Sequence, residues 1–461
     1  MKKNMLRGIS LCVLLLSSVL TNSAKAAELD GTTWRVLLET GSLGPIEFYL
    51  YIEERDGVLH AHNKTAALDL IRALPGAEGS EVDLRDGLFS FELKREEQGY
   101  AGRLMAPWRN ADVVLEVVDG QLKGSLKGSW FAGDFTGTAA AATPPLRDYA
   151  AILDEFDVVV ADKLFQPKEL NAATYKQFRQ RLGAIAAVAK DDLDLLLGAD
   201  FSWTGEPFSH FQLRRFLAPS EEIIAHFDQM RVGYEAARVE FDGALAILRV
   251  DTMMGNDTVE QIEAAYAAID SAASKALIID LRGNGGGAFA VKPLVGHVID
   301  EPLYPGYFVA QKWNAVHDRQ PTAQELEAIA PWSGWSISAF WRSIQDEGIM
   351  RLRFMPAEPN FDGPVYVLID GASASATELA VDALRSSGAV TLVGEKTPGQ
   401  MLSQSFFDVA EGFVVTLPVA DYFSVQHGRI EGVGVGVDVR VKSEEALDKA
   451  KELALKALRQ R

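Results

Sequence analysis

The segment Asp370-Gly371-Ala372-Ser373-Ala374-Ser375-Ala376-Thr377-Glu378-Leu379 sets three hydroxyls and two acids among small residues. It follows an apolar run, Gly363 to Ile369, and opens an amphipathic stretch over Thr377 to Ser386. A strand, a tight turn and a helix are expected. A serine on such a turn stands at the positive end of a helix, where neighbouring N–H groups can stabilise a developing oxyanion. Ser373, Ser375 and Thr377 compete for that role. Each can instead cap the helix, and on local sequence alone capping comes ahead of catalysis.

A second segment, Asp280-Leu281-Arg282-Gly283-Asn284-Gly285-Gly286-Gly287, ends another apolar run, Ala276 to Leu281. Glycine-rich loops at strand ends often cradle phosphate. No Gly-Lys-Ser/Thr follows, which argues against a nucleotide loop. The backbone N–H groups there can form half of an oxyanion hole, or the glycines can serve a tight turn.

The elements that must position these segments fall into three regions. Over 28–142, apolar and polar residues alternate, as in Ile46 to Ile52, and Asp56-Gly57, Asp86-Gly87 and Asp119-Gly120 punctuate the pattern. This predicts an all-β sandwich or barrel. His60 and His62 share one face of a strand, which is expected to be exposed and not a metal site. Ala139 to Pro145 reads as a linker. Helical spacing follows over 146–198, with Tyr149, Ile152, Leu153 and Phe156, then Phe178, Leu182 and Ile185, as core positions. The helical segment is taken as 145–235 and the α/β core as 236–461. Within that core, strands are expected at 244–250, 276–281, 363–369 and 390–394, with a helix over 258–274. Tyr304, Tyr307, Phe308, Trp313, Trp332, Trp335 and Trp341 mark an insertion that either covers a cleft or packs in the core.

Residues 1–27 read as a secretory signal peptide. Lys2, Lys3 and Arg7 precede the apolar Ile9 to Leu20, and small residues surround Ala26. This apolar run is too short for a comfortable membrane span. The expected location is outside the cytoplasm, the periplasm in a two-membrane bacterium. Cys12, the one cysteine, falls inside the leader, so the mature chain has no disulfide, thiol nucleophile or thiolate metal site. Four of the 45 basic residues also lie there (Lys2, Lys3, Arg7, Lys25), leaving 41 against 64 acidic ones, a net charge of −23. That balance argues against nucleic acid and anionic membrane surfaces as partners.

The two glycine- and serine-rich segments, with Gly394-Glu395-Lys396-Thr397-Pro398-Gly399 and Ile430-Glu431-Gly432-Val433-Gly434-Val435-Gly436, resemble the tail-specific (C-terminal processing) protease and tricorn-core serine peptidase family. The resemblance covers about 145–442. It implies an α/β core of the crotonase-like αββ type and a protein or peptide substrate, with no metal or nucleotide cofactor. Aligned on Glu378, the family's nucleophile falls on Ser375. Its oxyanion donors fall on the N–H groups of Ala376 and Gly287, with Gly286 as the alternative. Many bacterial members place a lysine base after the glycine of Thr-x-Gly, where this chain has Gln400. The tricorn-like branch instead uses a Ser-His pair and a later glutamate, which fall on Ser209, His210 and Glu431. The implied tetrad is Ser375, His210, Ser209 and Glu431, with His427 as the rival base. Between His210 and residue 242 there is too little chain for the PDZ module that many relatives carry. The alternatives are an inactive peptide-binding protein of the same fold and an esterase.

Overall fold

The computed structural model describes residues 29–40, 43–65, 67–74, 90–97, 99–106, 109–127, 132–334 and 336–460. The stretch read as a signal peptide, Cys12, the Asp86-Gly87 pair and Trp335 lie outside them. The chain forms two compact units. One contains the described residues up to and including Arg147 (residue 74 apart) and adds Val188–Asp194, and the other holds Asp148–Ala187 and Leu195 onward. No helix among the described residues is long and apolar enough to cross a membrane.

The first unit is a closed antiparallel barrel of eight strands in sequence order. They are β1 (Thr32–Thr40), β2 (Leu43–Arg55), β3 (Val58–Asn63), β4 (Ser90–Glu96), β5 (Gly99–Ala106), β6 (Arg109–Val118), β7 (Gln121–Lys127) and β8 (Ala132–Ala139). Alternation sends Trp34, Val36, Leu50, Ile52, Phe91 and Leu115 into its core. Asp56-Gly57 and Asp119-Gly120 make the tight β2–β3 and β6–β7 turns, with the aspartates at φ 52°. The expected exposed face at His60 and His62 needs correcting. His62 is buried, because the Tyr51 ring meets it edge-on at 5.3 Å and Glu53 lies beside it.

In the second unit, three helices follow the linker, at Tyr149–Lys163, Ala173–Ala186 and Asp192–Ser202, the last beginning in the stretch that belongs to the first unit. The strands then run β9 (Gln212–Arg215), β10 (Ala237–Asp242), β11 (Leu245–Val250), β12 (Ala276–Asp280), β13 (Gly306–Ala310), β14 (Ile349–Arg351), β15 (Val365–Ile369), β16 (Val390–Gly394), β17 (Ser403–Asp408), β18 (Phe413–Ser424), β19 (Gly428–Arg429) and β20 (Val439–Arg440). One sheet has the order β10-β11-β12-β15-β16-β20, parallel except at β10. Another is antiparallel, β14-β13-β18-β17, with β9 and β19 also paired to β18.

The central parallel strands are largely apolar because helices cover both faces. Leu277, Ile279, Val365 and Val367 pack toward the helices Asn256–Ser271 and Ala376–Ser387. Ile278, Tyr366 and Leu368 meet Ala446, Ala450 and Ala454 of the helix Ala446–Gln460. The first of these helices stops at Ser271, short of 274, since the chain turns at Ala273 with φ 50°. The two motif segments leave the carboxyl ends of β12 and β15, which are hydrogen-bonded neighbours, so topology alone sets them side by side. The aromatic insertion divides. Phe308, Phe340 and Trp341 are core residues, whereas Tyr304 is exposed.

Ile279 is fully buried in the middle of that sheet. Ile279→Ala is expected to destabilise the protein by about 2–5 kcal/mol, read as a lower urea midpoint at an unchanged slope.

Candidate active site

The three hydroxyls of the turn after β15 differ in their surroundings. Ser373 is fully buried; its Oγ donates to the Leu281 carbonyl at 2.9 Å and accepts the Asp370 N–H at 3.0 Å. Thr377 is fully buried too. Ser375 alone of the three lines the pocket described below. It sits at φ 57°, ψ −123°, immediately before the helix Ala376–Ser387. A non-glycine residue there is strained. Of the six such residues with positive φ among those described, Asp56 and Asp119 serve hairpin turns, while Ser375 and His210 (φ 59°) are two of the sequence-derived site residues.

The glycine-rich loop is held from below. Asp280 takes Arg282 on both carboxylate oxygens (2.8 and 2.7 Å) and Arg249 at 2.9 Å. Burial would raise its pKa, but the Arg282 hydrogen bonds and the Arg249 charge keep it below the usual range. Asp370 accepts the Gly283 N–H at 3.0 Å. Buried Asn284 donates to the Val250 carbonyl and accepts the Gly286 N–H at 2.9 Å. The Gly286 N–H is therefore already committed. The N–H groups of Gly287 and Ala376 have no acceptor among the described residues. A Cβ on Gly286 would stand 2.7 Å from Ser375 Cβ, and one on Gly287 2.3 Å from the Met254 nitrogen. Both positions of this loop thus need glycine for close approach.

Ser209 and His210 lie on the loop between the helix Asp192–Ser202 and β9. Aromatic side chains clamp that loop: Trp203 packs on Phe211 at 4.5 Å and on Phe208 at 5.0 Å, and Phe178 meets Phe211 at 5.2 Å. Ser209 Oγ and His210 Nδ1 are 2.5 Å apart. Burial lowers the His210 pKa, with the Glu431 charge acting in the opposite direction. Glu431 Oε2 accepts the N–H groups of Met401 (2.6 Å) and Leu402 (3.1 Å). Met401 and Leu402 also line the pocket with Ser375. The structure therefore sets Ser375, Ala376 and Gly287 on one pocket and pairs Ser209 with His210, while Glu431 holds residues 401–402 of the same pocket wall and acts on His210 through its charge. Ser375 Oγ and His210 share no hydrogen bond here.

One carboxylate that the sequence reading used only for alignment organises the site. Glu378 is fully buried, and burial raises its pKa despite four hydrogen bonds. Its Oε1 accepts from Thr397 Oγ1 (2.6 Å) and the Gly399 N–H (2.8 Å), and its Oε2 from the N–H groups of Ser375 (3.1 Å) and Gln400 (2.8 Å). The Ser-x-x-Glu spacing of a capping box was the available signal. Gln400 contributes its backbone, and its side chain is exposed. Of the other histidines, His297 is buried against Glu263 at 2.8 Å, and His427 is exposed.

The pocket encloses about 660 Å³ counted out to its mouth. Phe308, Trp332, Phe340 and Phe354 give it apolar walls, and Lys292 and Arg353 are its two cationic residues. Burial pushes Lys292 down to about 8. No spacing pattern in the sequence marked either cation. No group of three or more potential metal ligands occurs among the described residues.

Residues 244–441 match the profile of peptidase family S41. That stretch contains Gly287, Ser375, Glu378 and Glu431. A carboxyl-terminal-processing protease of Picosynechococcus sp. is 35% identical over 102 residues, 22% of this chain and 25% of that protein. One from Synechocystis sp. is 25% identical over 228 residues, 50% of this chain and 43% of that protein. The chain thus spans less than half the length of either relative. The crystal structure of the tricorn protease aligns over 92% of this chain and 54% of its own, at 10% identity and a TM-score of 0.41.

Glu378→Gln sets an amide N–H₂ against N–H or hydroxyl donors. The expected loss is about 1–3 kcal/mol for each donor left without an acceptor. It is read as a lower urea midpoint together with slower fluorophosphonate labelling at Ser375.

Proposed function

We propose that this chain is an exported serine peptidase that hydrolyses peptide bonds through an acyl-enzyme on Ser375, with His210 as general base. The observation that carries this reading is the strained Ser375 turn, which opens on a pocket shared with the two uncommitted N–H groups of Gly287 and Ala376. The S41 match over 244–441 supports it. The leader read in residues 1–27 supports export, to the periplasm in a two-membrane bacterium. The parallel sheet, covered on both faces, is compatible with the crotonase-like αββ arrangement.

Ser375 Oγ attacks the scissile carbonyl as His210 removes its proton. The Gly287 and Ala376 N–H groups stabilise the oxyanion, and the committed Gly286 N–H leaves Gly287 as the loop's donor. His210 then returns the proton to the leaving amine. Water, deprotonated by the same imidazole, cleaves the acyl-enzyme and releases Ser375. Ser209 fixes the ring through Nδ1, and Glu431 stabilises the imidazolium by charge. Catalytic hydrogen bonds such as Ser375–His210 commonly tighten only when substrate binds. This tetrad is the tricorn-like arrangement. It needs no side chain at position 400.

Fluorophosphonate is expected to modify Ser375, as mapped by mass spectrometry, and Ser375→Ala to abolish the reaction. His210→Ala should lower kcat by about 10³-fold or more with the fold intact by circular dichroism. No labelling of well-folded wild type would overturn the peptidase reading in favour of a peptide-binding protein. Turnover of ester but not amide substrates would make the chain an esterase.

The pH profile follows from His210. A general base must be neutral, and burial favours the neutral imidazole. kcat/KM is therefore expected to rise with pH through a midpoint below the ordinary histidine value of about 6.5. Glu431→Gln removes the charge that opposes this shift. Its acidic limb should move to still lower pH while kcat falls by about 10²–10⁴-fold.

A further inference from the structure

The chemistry above uses Glu431, yet a second buried acid close to it has no part in that scheme. Asp421 is the one charged residue of β18 and is 3% exposed. Its Oδ2 accepts from Arg429 Nε at 2.6 Å. Its Oδ1 is buried and has no hydrogen-bond partner. An unpaired buried oxygen costs free energy that an apolar residue at the same position would avoid.

The hairpin explains the pairing. β19 runs back along β18, with Arg429 opposite Phe423 and Gly428 opposite Ser424, so Arg429 returns beside Asp421. Glu431 follows two residues later. On its other side the Gly432 N–H donates to the Gly399 carbonyl at 2.8 Å. Glu431 is thus held between two ties, one of main chain and one of charge. The groups that face Asp421 are Arg429 from β19, Glu431 from the segment after it and Tyr307 from β13. Burial pushes Asp421 up to about 6; Arg429 and the neighbouring Tyr422 N–H oppose the rise, and the Glu431 charge adds to it. That value stands above the unfolded one of about 3.9, so the ionised carboxylate subtracts stability at neutral pH, and the cost is lifted as pH falls through about 6. Acids kept at such a cost cluster at functional sites.

We infer that Asp421 is a positioning residue of the proposed tetrad: its ionised carboxylate holds Arg429, and through that tie it sets Glu431 to act on His210. The inference rests on the reading in which His210 is the base and Glu431 stabilises its charged form. When Asp421 takes up a proton, its pair with Arg429 weakens and the segment that carries Glu431 loosens. Activity on the acidic side then depends on two deprotonations, one at His210 and one at Asp421.

The test follows the rate of fluorophosphonate labelling at Ser375 between about pH 5 and 8, with urea midpoints measured alongside. Wild type is expected to lose labelling toward low pH along a curve steeper than one proton allows. Asp421→Asn should label about tenfold more slowly at the upper end of that range, follow a one-proton curve, and unfold in urea no earlier than wild type. Arg429→Gln should label as slowly, and Arg429→Lys should retain part of the rate. The double variant Asp421→Asn with Arg429→Gln should be no slower than either single one, since both act through one link. A wild-type rate and profile in Asp421→Asn, additive losses in the double variant, or a urea midpoint that falls together with the rate would give the pair a merely structural role and overturn the inference. Labelling at Ser375 that is indifferent to Asp421 removes only this inference. No labelling of folded wild type removes the peptidase reading and the inference with it.

Discussion

One buried carboxylate holds the site together. Glu378 sits in the first turn of a helix and accepts the backbone N–H of Ser375, the residue before that helix. It also accepts two N–H groups and a hydroxyl from residues 397–400, which follow β16. Thr397 Oγ1 in turn accepts the Val435 N–H at 2.7 Å. Glu431 repeats the device on the next two residues, Met401 and Leu402. Two acids thus staple three stretches of chain into one wall. Leaving either acid's donors without an acceptor would be costly at this depth of burial.

This stapling explains how strained backbone persists. A positive φ at Ser375 and at His210 costs free energy that the surroundings must offset. At Ser375 the offset comes from Glu378, from the helix that follows and from the glycine of the neighbouring loop. At His210 it comes from the aromatic cluster of Phe178, Trp203, Phe208 and Phe211 on either side of the Ser-His pair. Position 400, where the family resemblance leads one to expect a lysine, works here through its main chain. Gln400 donates its backbone N–H to Glu378, so the architecture of the turn does not depend on what side chain stands there.

Much of the core was legible because its signals are local. Five-residue apolar runs became β12 and β15, and the Asp-Gly pairs of β2–β3 and β6–β7 became hairpins. Tyr149, Ile152, Leu153 and Phe156 lined the buried face of one helix. The clustering of Ser375, Ala376 and the glycines followed from their position at the ends of adjacent strands. Three things were not legible. The local residues alone did not separate Ser373, Ser375 and Thr377, and only the resemblance, aligned on Glu378, pointed to Ser375; the burial of Ser373 depends on partners 90 or so residues away, such as the Leu281 carbonyl. The burial of His62 depended on Tyr51 across a strand pair. Lys292 and Arg353 met only through the folded path of residues 303–354, which has no periodicity that announces it.

The closure of the barrel carries its own consequence. Because β8 pairs back onto β1, the ring offers no free strand to an incoming chain. A peptide cannot join that unit by extending its sheet, as ligands do in folds with an open edge. Whatever the barrel recognises must be gripped by side chains on its outer surface or by its connecting loops. Its specificity is therefore written in exposed residues, which can change without disturbing the ladder of hydrogen bonds beneath.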